Sequence, residues 1–163
     1  MAIDYPADYL AGLIRELCML PRETEWFEFK QSCAAPQDIG EYISALANAA
    51  ALCGKPSAYL VWGIEDSTHA IVGTAFSPHK TRVGNEELES WLLRLLSPRI
   101  NFRFFEMTMD GRLVVLLEVG RAFCHPVRFQ GQEFIRIGSY KKKLRDFPEK
   151  ERALWRIFDQ MPF

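Results

Sequence analysis

The sequence is poor in the features that most directly give a function away. It has 163 residues, and no apolar run among them is long enough to cross a bilayer. No signal-peptide pattern opens it. Its four cysteines, Cys18, Cys33, Cys53 and Cys124, are widely spaced and form no C-x-x-C pair, so they read as reduced thiols in a cytoplasmic protein. The histidines His69, His79 and His125 match no metal-ligand spacing. Neither G-x-x-x-x-G-K-[ST] nor G-x-G-x-x-G occurs, which leaves nucleotide binding by such loops unsupported. The formal net charge is only −1, so overall charge calls for neither a nucleic-acid nor a membrane partner, and only the distribution of charge can do so. There is no internal repeat and no low-complexity tract.

What is present suits one ordinary core: 48% of the residues are hydrophobic, enough for a single domain over 1–163. Residues 4–20 carry Leu10, Leu13, Ile14 and Leu17 at helical spacing, with Pro21 as the stop, giving an N-terminal helix within 1–20. Residues 23–30 alternate charge and aromatic bulk, the signature of a short strand. In it Phe27 and Phe29 share one face, and Glu28 and Lys30 the other. A second helix over 38–52 presents Ile39, Ile43, Leu46 and Ala50, and its many small residues suit close approach to a sheet. The run 57–64 reads as a strand buried on both faces, returning through an acidic turn at Glu65 and Asp66 to a second strand over 70–74. Asn85 would cap a third helix over 86–96, whose first-turn glutamates Glu86 and Glu87 would repel an anion. Asp110 with Gly111, and Gln130 with Gly131, mark two hairpins. The basic stretch 138–145 reads as a loop, and a last helix over 148–159 buries Leu154, Trp155 and Phe158. Trp62 and Trp91 likewise read as core. The order of elements predicts an α+β, two-layer sandwich: a mostly antiparallel sheet with helices mainly on one face. The apolar end at 160–163 suggests that the C-terminal helix leads into a longer protein.

Two groups of residues carry candidate chemistry. Glu23, Glu28 and Asp66 are hard oxygen donors of the kind that hold Mg²⁺ or Mn²⁺, ions that activate water and steady a phosphodiester oxyanion. Five residues is an odd separation, so Glu23 and Glu28 converge only if Glu23 lies in the turn before the strand. On spacing alone these acids read more readily as solvated surface. The E-x-K pattern of Glu28 and Lys30 also occurs in metal-dependent nucleases, but it is common by chance. The second group is basic: Arg136, Lys141, Lys142, Lys143 and Arg145 surround Tyr140, and together with Lys30 they could hold a phosphate backbone while the ring stacks on a base. An ordinary solvated loop would look the same.

Five blocks in order, E-T-E-W-F-E-F-K over 23–30, Y-I-S-A-L-A-N over 42–48, Y-L-V-W-G-I-E-D over 59–66, I-V-G over 71–73 and F-I-R-I-G-S over 134–139, resemble the Schlafen AlbA-type domain. The resemblance implies an α+β domain that binds nucleic acid, DNA or RNA, as found at the front of bacterial transcriptional regulators. It also implies an alternative. Animal Schlafens use this domain as a metal-dependent ribonuclease on structured RNA, and Glu23, Glu28 and Asp66 occupy the positions of that family's acidic triad. A third reading is a protein–protein scaffold. Two departures bear on catalysis. The family's Gly-Gly pair after the second helix's Ala-Asn is replaced here by alanines at 49–51, and a complete nuclease groove needs a second lobe, which a homodimer would supply.

Overall fold

The computed structural model describes residues 5–20, 24–30 and 35–160. In chain order these form α1 (Ala7–Met19), β1 (Phe27–Lys30), α2 (Pro36–Leu52), β2 (Ser57–Trp62), β3 (Arg82–Val83), β4 (Glu86–Glu87), α3 (Leu88–Leu95), β5 (Leu96–Ser97), β6 (Phe102–Met109), β7 (Arg112–Gly120), β8 (Arg128–Phe129), β9 (Gln132–Ile137), β10 (Tyr140–Lys143) and α4 (Pro148–Gln160).

Alternation in β1 sends Phe27 and Phe29 into an apolar cluster with Leu10, Ile14 and Leu17 of α1 and with Val61, Phe105 and Leu116. Each fully buried aliphatic side chain of that kind contributes roughly 1.5–3 kcal/mol, so α1 is held by packing; its N-terminus has no side-chain cap. β1 is the edge of a sheet ordered β1-β2-β7-β6. Only its pairing with β2 is parallel, and α2 is the crossover that a parallel pair requires. A second sheet, ordered β10-β9-β8-β5, is antiparallel.

α2 joins the two sheets. Every residue from 42 to 51 is buried, the mark of a helix covered on all sides. It packs on β2 and β7 from one direction, on β8, β9 and β10 from another, and on α4. Gly40 permits this closeness, since a Cβ there would come within 2.2 Å of the Phe129 ring. One turn and two turns on, Ser44 and Asn48 act as a missing strand. The Ser44 hydroxyl donates to the Val127 carbonyl at 2.6 Å and accepts from the Phe134 amide at 3.0 Å. The Asn48 side chain donates to the Phe134 carbonyl at 2.8 Å and accepts from the Val127 amide at 2.8 Å. Buried main-chain groups that β8 and β9 leave unpaired are thereby satisfied.

The α+β class and the mostly antiparallel sheets are as expected. α2, α3 and α4 share one core cluster on one side of the first sheet, while α1 lies on the other. Both marked hairpins form, with φ of 51° and 75° at Asp110 and Gly111 and of 52° and 78° at Gln130 and Gly131. Four expectations need correcting. Residues 57–74 close through a single bridge, Ile64 with Ile71, with the chain reversing over Glu65–Ala70 and the Val72 and Gly73 amides both donating to the Gly63 carbonyl. Glu86 and Glu87 pair with β3 and precede α3, so Asn85 sits in a hairpin turn and caps nothing; Glu86 instead meets Arg94 at 3.0 Å. Residues 140–143 are a strand, with Tyr140 opposite Ile137 and Lys143 opposite Phe134. Trp155 is 38% exposed, lying against His125 and Phe158 at the rim of α4, and Trp91 is only partly buried. Cys18, Cys53 and Cys124 are free, and Cys33 lies outside the described residues. No helix among the described residues is long and apolar enough to cross a membrane.

Candidate nucleic-acid interface

The polar face of β1 meets the second sheet. Strand alternation turns Glu28 and Lys30 away from α1, toward α2 and the β9–β10 hairpin. Arg136 reaches across from β9. Its Nη2 lies 2.7 Å from Glu28 Oε2, and its side chain is 1% exposed against 12% for Glu28. Longer contacts of 3.5 Å run from Nη1 to the Phe27 carbonyl and from Nη2 to the Gly138 carbonyl. Arg136 Nε is buried without a hydrogen-bond partner among the described residues. Beside this pair, Glu25 Oε2 accepts from the Gly138 amide at 3.1 Å. The hairpin tip is therefore fastened by two carboxylates, Glu28 of β1 and Glu25 just before it, and Gly138, with φ of 60°, makes the turn that allows it.

Tyr42 of α2 is the common floor. Lys30 Nζ lies 4.7 Å from its ring centroid, Lys141 Nζ 4.8 Å and Arg136 Cζ 5.9 Å. Lys141 is further tied to Glu41 at 2.7 Å and Asp38 at 3.3 Å. A shallow pocket lined by Lys30, Asp38, Ile39, Tyr42, Leu60 and Trp62 opens beside the ring. Burial pushes the Glu28 carboxyl above its ordinary value; Arg136 and then Lys30 pull it down, and Asp66 adds a smaller upward push. Burial lowers the Lys30 ammonium, but the Tyr42 hydroxyl, then Glu28 and Asp38, outweigh it and leave that group raised. Three cations, Lys30, Arg136 and Lys141, thus face three carboxylates, Glu28, Asp38 and Glu41, so this inner set is close to neutral.

The outer set is not balanced. Tyr140 is 68% exposed. Lys142 and Lys143 on the same strand and Arg145 beyond it are also exposed, and among the described residues none of the three has a carboxylate partner. Lys142 Nζ stands 5.7 Å from the Tyr140 ring centroid. The expected basic residues are therefore divided: Arg136 lies inside, Lys30 and Lys141 are anchored at the rim, and Tyr140, Lys142, Lys143 and Arg145 line the open edge of the second sheet. Asp38, Glu41 and Tyr42 were missed from the sequence, although three acceptors on the opening turns of one helix, facing a lysine-rich stretch, are a readable signal.

Of the acidic set, Glu23 lies outside the described residues. Asp66 is exposed in the turn after β2, near enough for its charge to be felt at Glu28. Among the described residues no group of three or more His, Cys, Asp or Glu side chains could hold a metal ion. Glu28 already has a cation at bonding distance in Arg136, so Mg²⁺ or Mn²⁺ at Glu28 would compete with that ion pair. The histidines keep separate partners: His69 the Cys18 carbonyl, His79 the Glu89 carboxylate, His125 the Pro126 carbonyl and Arg128.

No curated protein matches the chain. Among solved structures it is similar to the DIP2311 protein from Corynebacterium diphtheriae, with a TM-score of 0.53 and 16% sequence identity over 90% of this chain. The match spans 29% of that protein's length, and at this identity it speaks for the fold alone. The model of the Schlafen, AlbA_2 family matches residues 23–145, a span from the strand that carries Glu28 through the basic edge at Arg145, and the chain belongs to that family.

Proposed function

We propose that this chain is a nucleic-acid-binding domain that meets phosphates along β10 and the residues after it. Family membership suggests nucleic-acid binding. The observation that carries the assignment to this edge is its charge balance: Lys142, Lys143 and Arg145 are exposed and without carboxylate partners among the described residues, whereas Arg136 and Lys141 are ion-paired and Lys30 lies over the Tyr42 ring within the field of Glu28 and Asp38. A polyanion gains from cations that have no competing intramolecular partner and can release condensed counterions. Arg136 accordingly supports the interface by fixing the hairpin, and Lys30 and Lys141 form its inner rim. The family resemblance supports the further reading that the domain is the binding module of a cytoplasmic transcriptional regulator. Metal-dependent cleavage through Glu23, Glu28 and Asp66 is less well supported, because it would have to displace Arg136 from Glu28.

Fluorescence anisotropy with labelled tRNA and duplex DNA across a salt series tests the proposal. Three neutralised phosphates give a slope of log K against log[salt] of about −2 to −3. Lys142→Ala with Lys143→Ala should weaken binding and flatten that slope by about 1.4–1.8, roughly 0.7–0.9 for each phosphate left without its lysine. Binding indifferent to salt, or indifferent to the double substitution, would refute the assignment of the edge.

A further inference from the structure

We infer that the β10 edge takes unpaired nucleic acid, with the Tyr140 ring as a platform for one base and Lys142, Lys143 and Arg145 holding the phosphates that follow; this rests on the nucleic-acid reading above. Tyr140 is the most exposed aromatic side chain among the described residues, at 68%. A solitary exposed ring is ordinary, but the backbone that carries this one is held in place. It opens a strand paired from Tyr140 opposite Ile137 to Lys143 opposite Phe134, immediately after the tight turn at Gly138 and Ser139. That turn is fastened to Glu25, and Arg136 ties it to Glu28. A ring carried on an ordered main chain requires no backbone ordering when it stacks, and its affinity is reduced only by the ordering of its side chain.

The cations are ordered beside it. Lys142 shares the face of Tyr140 on alternate positions of β10, and its ammonium stands by the ring. Lys143 points to the other face yet stays exposed, and Arg145 continues the line. Aromatic platform and flanking cations along one track are the elements of single-strand binding, where every base offers a face for stacking.

A duplex fits this edge less well. Bases within a helix are stacked on both faces and offer none to Tyr140. A two-stranded ribbon can read a major groove, but the β9–β10 ribbon is not free to enter one. α2 covers it from one side, and the Arg136 side chain it carries is buried. Wedges that pry a duplex open are apolar side chains such as Phe, Leu or Met. Here the residues beside Tyr140 are serine and lysine.

RNA and DNA both present an unpaired base between phosphates, so the test uses fluorescein-labelled oligo(U), oligo(dT) and a duplex of equal length at one salt concentration. Tyr140→Ala, Tyr140→Trp and Lys142→Ala with Lys143→Ala are compared with the wild type, after urea unfolding shows the same midpoint for each. The expected result is tighter binding of at least one single strand than of the duplex. Tyr140→Ala should then lose about tenfold or more on that strand, with no change on the duplex and no change in salt slope, while Tyr140→Trp keeps the affinity. Preference for oligo(U) would assign the edge to RNA, preference for oligo(dT) to DNA; either agrees with the inference. Equal binding of duplex and single strands, or single-strand affinity within twofold of wild type in Tyr140→Ala, overturns it while leaving the nucleic-acid reading intact. No binding of any of the three overturns both.

Discussion

Replacing Glu28 is the most informative single perturbation, because the carboxylate is the counter-ion of a guanidinium that has almost no access to water. Arg136 is 1% exposed, so Glu28→Ala leaves a buried guanidinium with two long contacts, to the Phe27 and Gly138 carbonyls, among the described residues. Unit charges about 4 Å apart in an effective dielectric near 20 attract by roughly 4 kcal/mol. Breaking a buried pair by removing one partner costs about 3–5 kcal/mol. In a domain of this size that should lower Tm by about 6–20 °C, at about 2–4 °C per kcal/mol. Glu28→Gln keeps an acceptor for Arg136 and should cost less, about 1–2 kcal/mol, near the lower end of what a hydrogen bond to a charged group contributes. The two variants also differ in pH response. Burial raises the Glu28 carboxyl, so its share of stability is full below the ordinary carboxylate value and is lost as pH rises through the raised one. Glutamine does not titrate, and the gap between wild type and Glu28→Gln should therefore narrow from pH 4 to pH 8. Urea unfolding of wild type, both variants, Arg136→Met and the double variant Glu28→Ala with Arg136→Met supplies the numbers. A loss below about 1 kcal/mol for Glu28→Ala, or strict additivity in the double variant, would refute the account of the pair.

Two further outcomes follow from the same geometry. Asn48→Ala removes the partners of the Val127 amide and the Phe134 carbonyl, each about 1–3 kcal/mol when left buried and unpaired, and hydrogen exchange at the Val127 amide should rise well above that of β7. Adding Mn²⁺ should leave the wild-type Tm unchanged while Arg136 holds Glu28; a concentration-dependent rise that Glu28→Ala and Asp66→Ala abolish would instead mean a metal site.

Much of the architecture was legible where side-chain period and turn chemistry agree. Phe27 and Phe29 read correctly as the anchors of β1 because strict alternation admits one buried face, and D-G and Q-G located the β6–β7 and β8–β9 hairpins because few residues accept positive φ twice in succession. β10 was not legible. Its sequence, Y-K-K-K, contains no apolar alternation, since the one inward residue is Lys141, which covers Tyr42 with its stem and ends on Asp38 and Glu41. The roles of Ser44 and Asn48 were not legible, because only the tertiary arrangement reveals that the main chain around β8 and β9 needs them as hydrogen-bond partners. Among the site residues, one run of basic residues concealed two populations. Arg136 stands between Ile135 and Ile137 in a buried strand, a context that already argued against a phosphate contact, while Lys142 and Lys143 follow a glycine turn on an edge.

That division explains how a chain of near-zero net charge can present a basic edge. Sheet edges expose unpaired main-chain groups, and lysines there discourage pairing with another chain whatever else they do. β10 is such an edge, so its charge alone would be expected of any well-behaved sheet. What distinguishes it is that the neighbouring cations are neutralised from within, by Glu28 on β1 and by Asp38 and Glu41 on α2, while the outer ones are not. An edge protected only against aggregation has no need of a buried arginine fastening its hairpin to the opposite sheet, nor of an exposed ring at its start. Substitutions in the inner set should therefore act first on stability and those in the outer set first on binding. Lys141, half in each, is the residue at which the two effects should appear together: its removal releases Asp38 and Glu41 as free carboxylates beside the very edge that must attract phosphate.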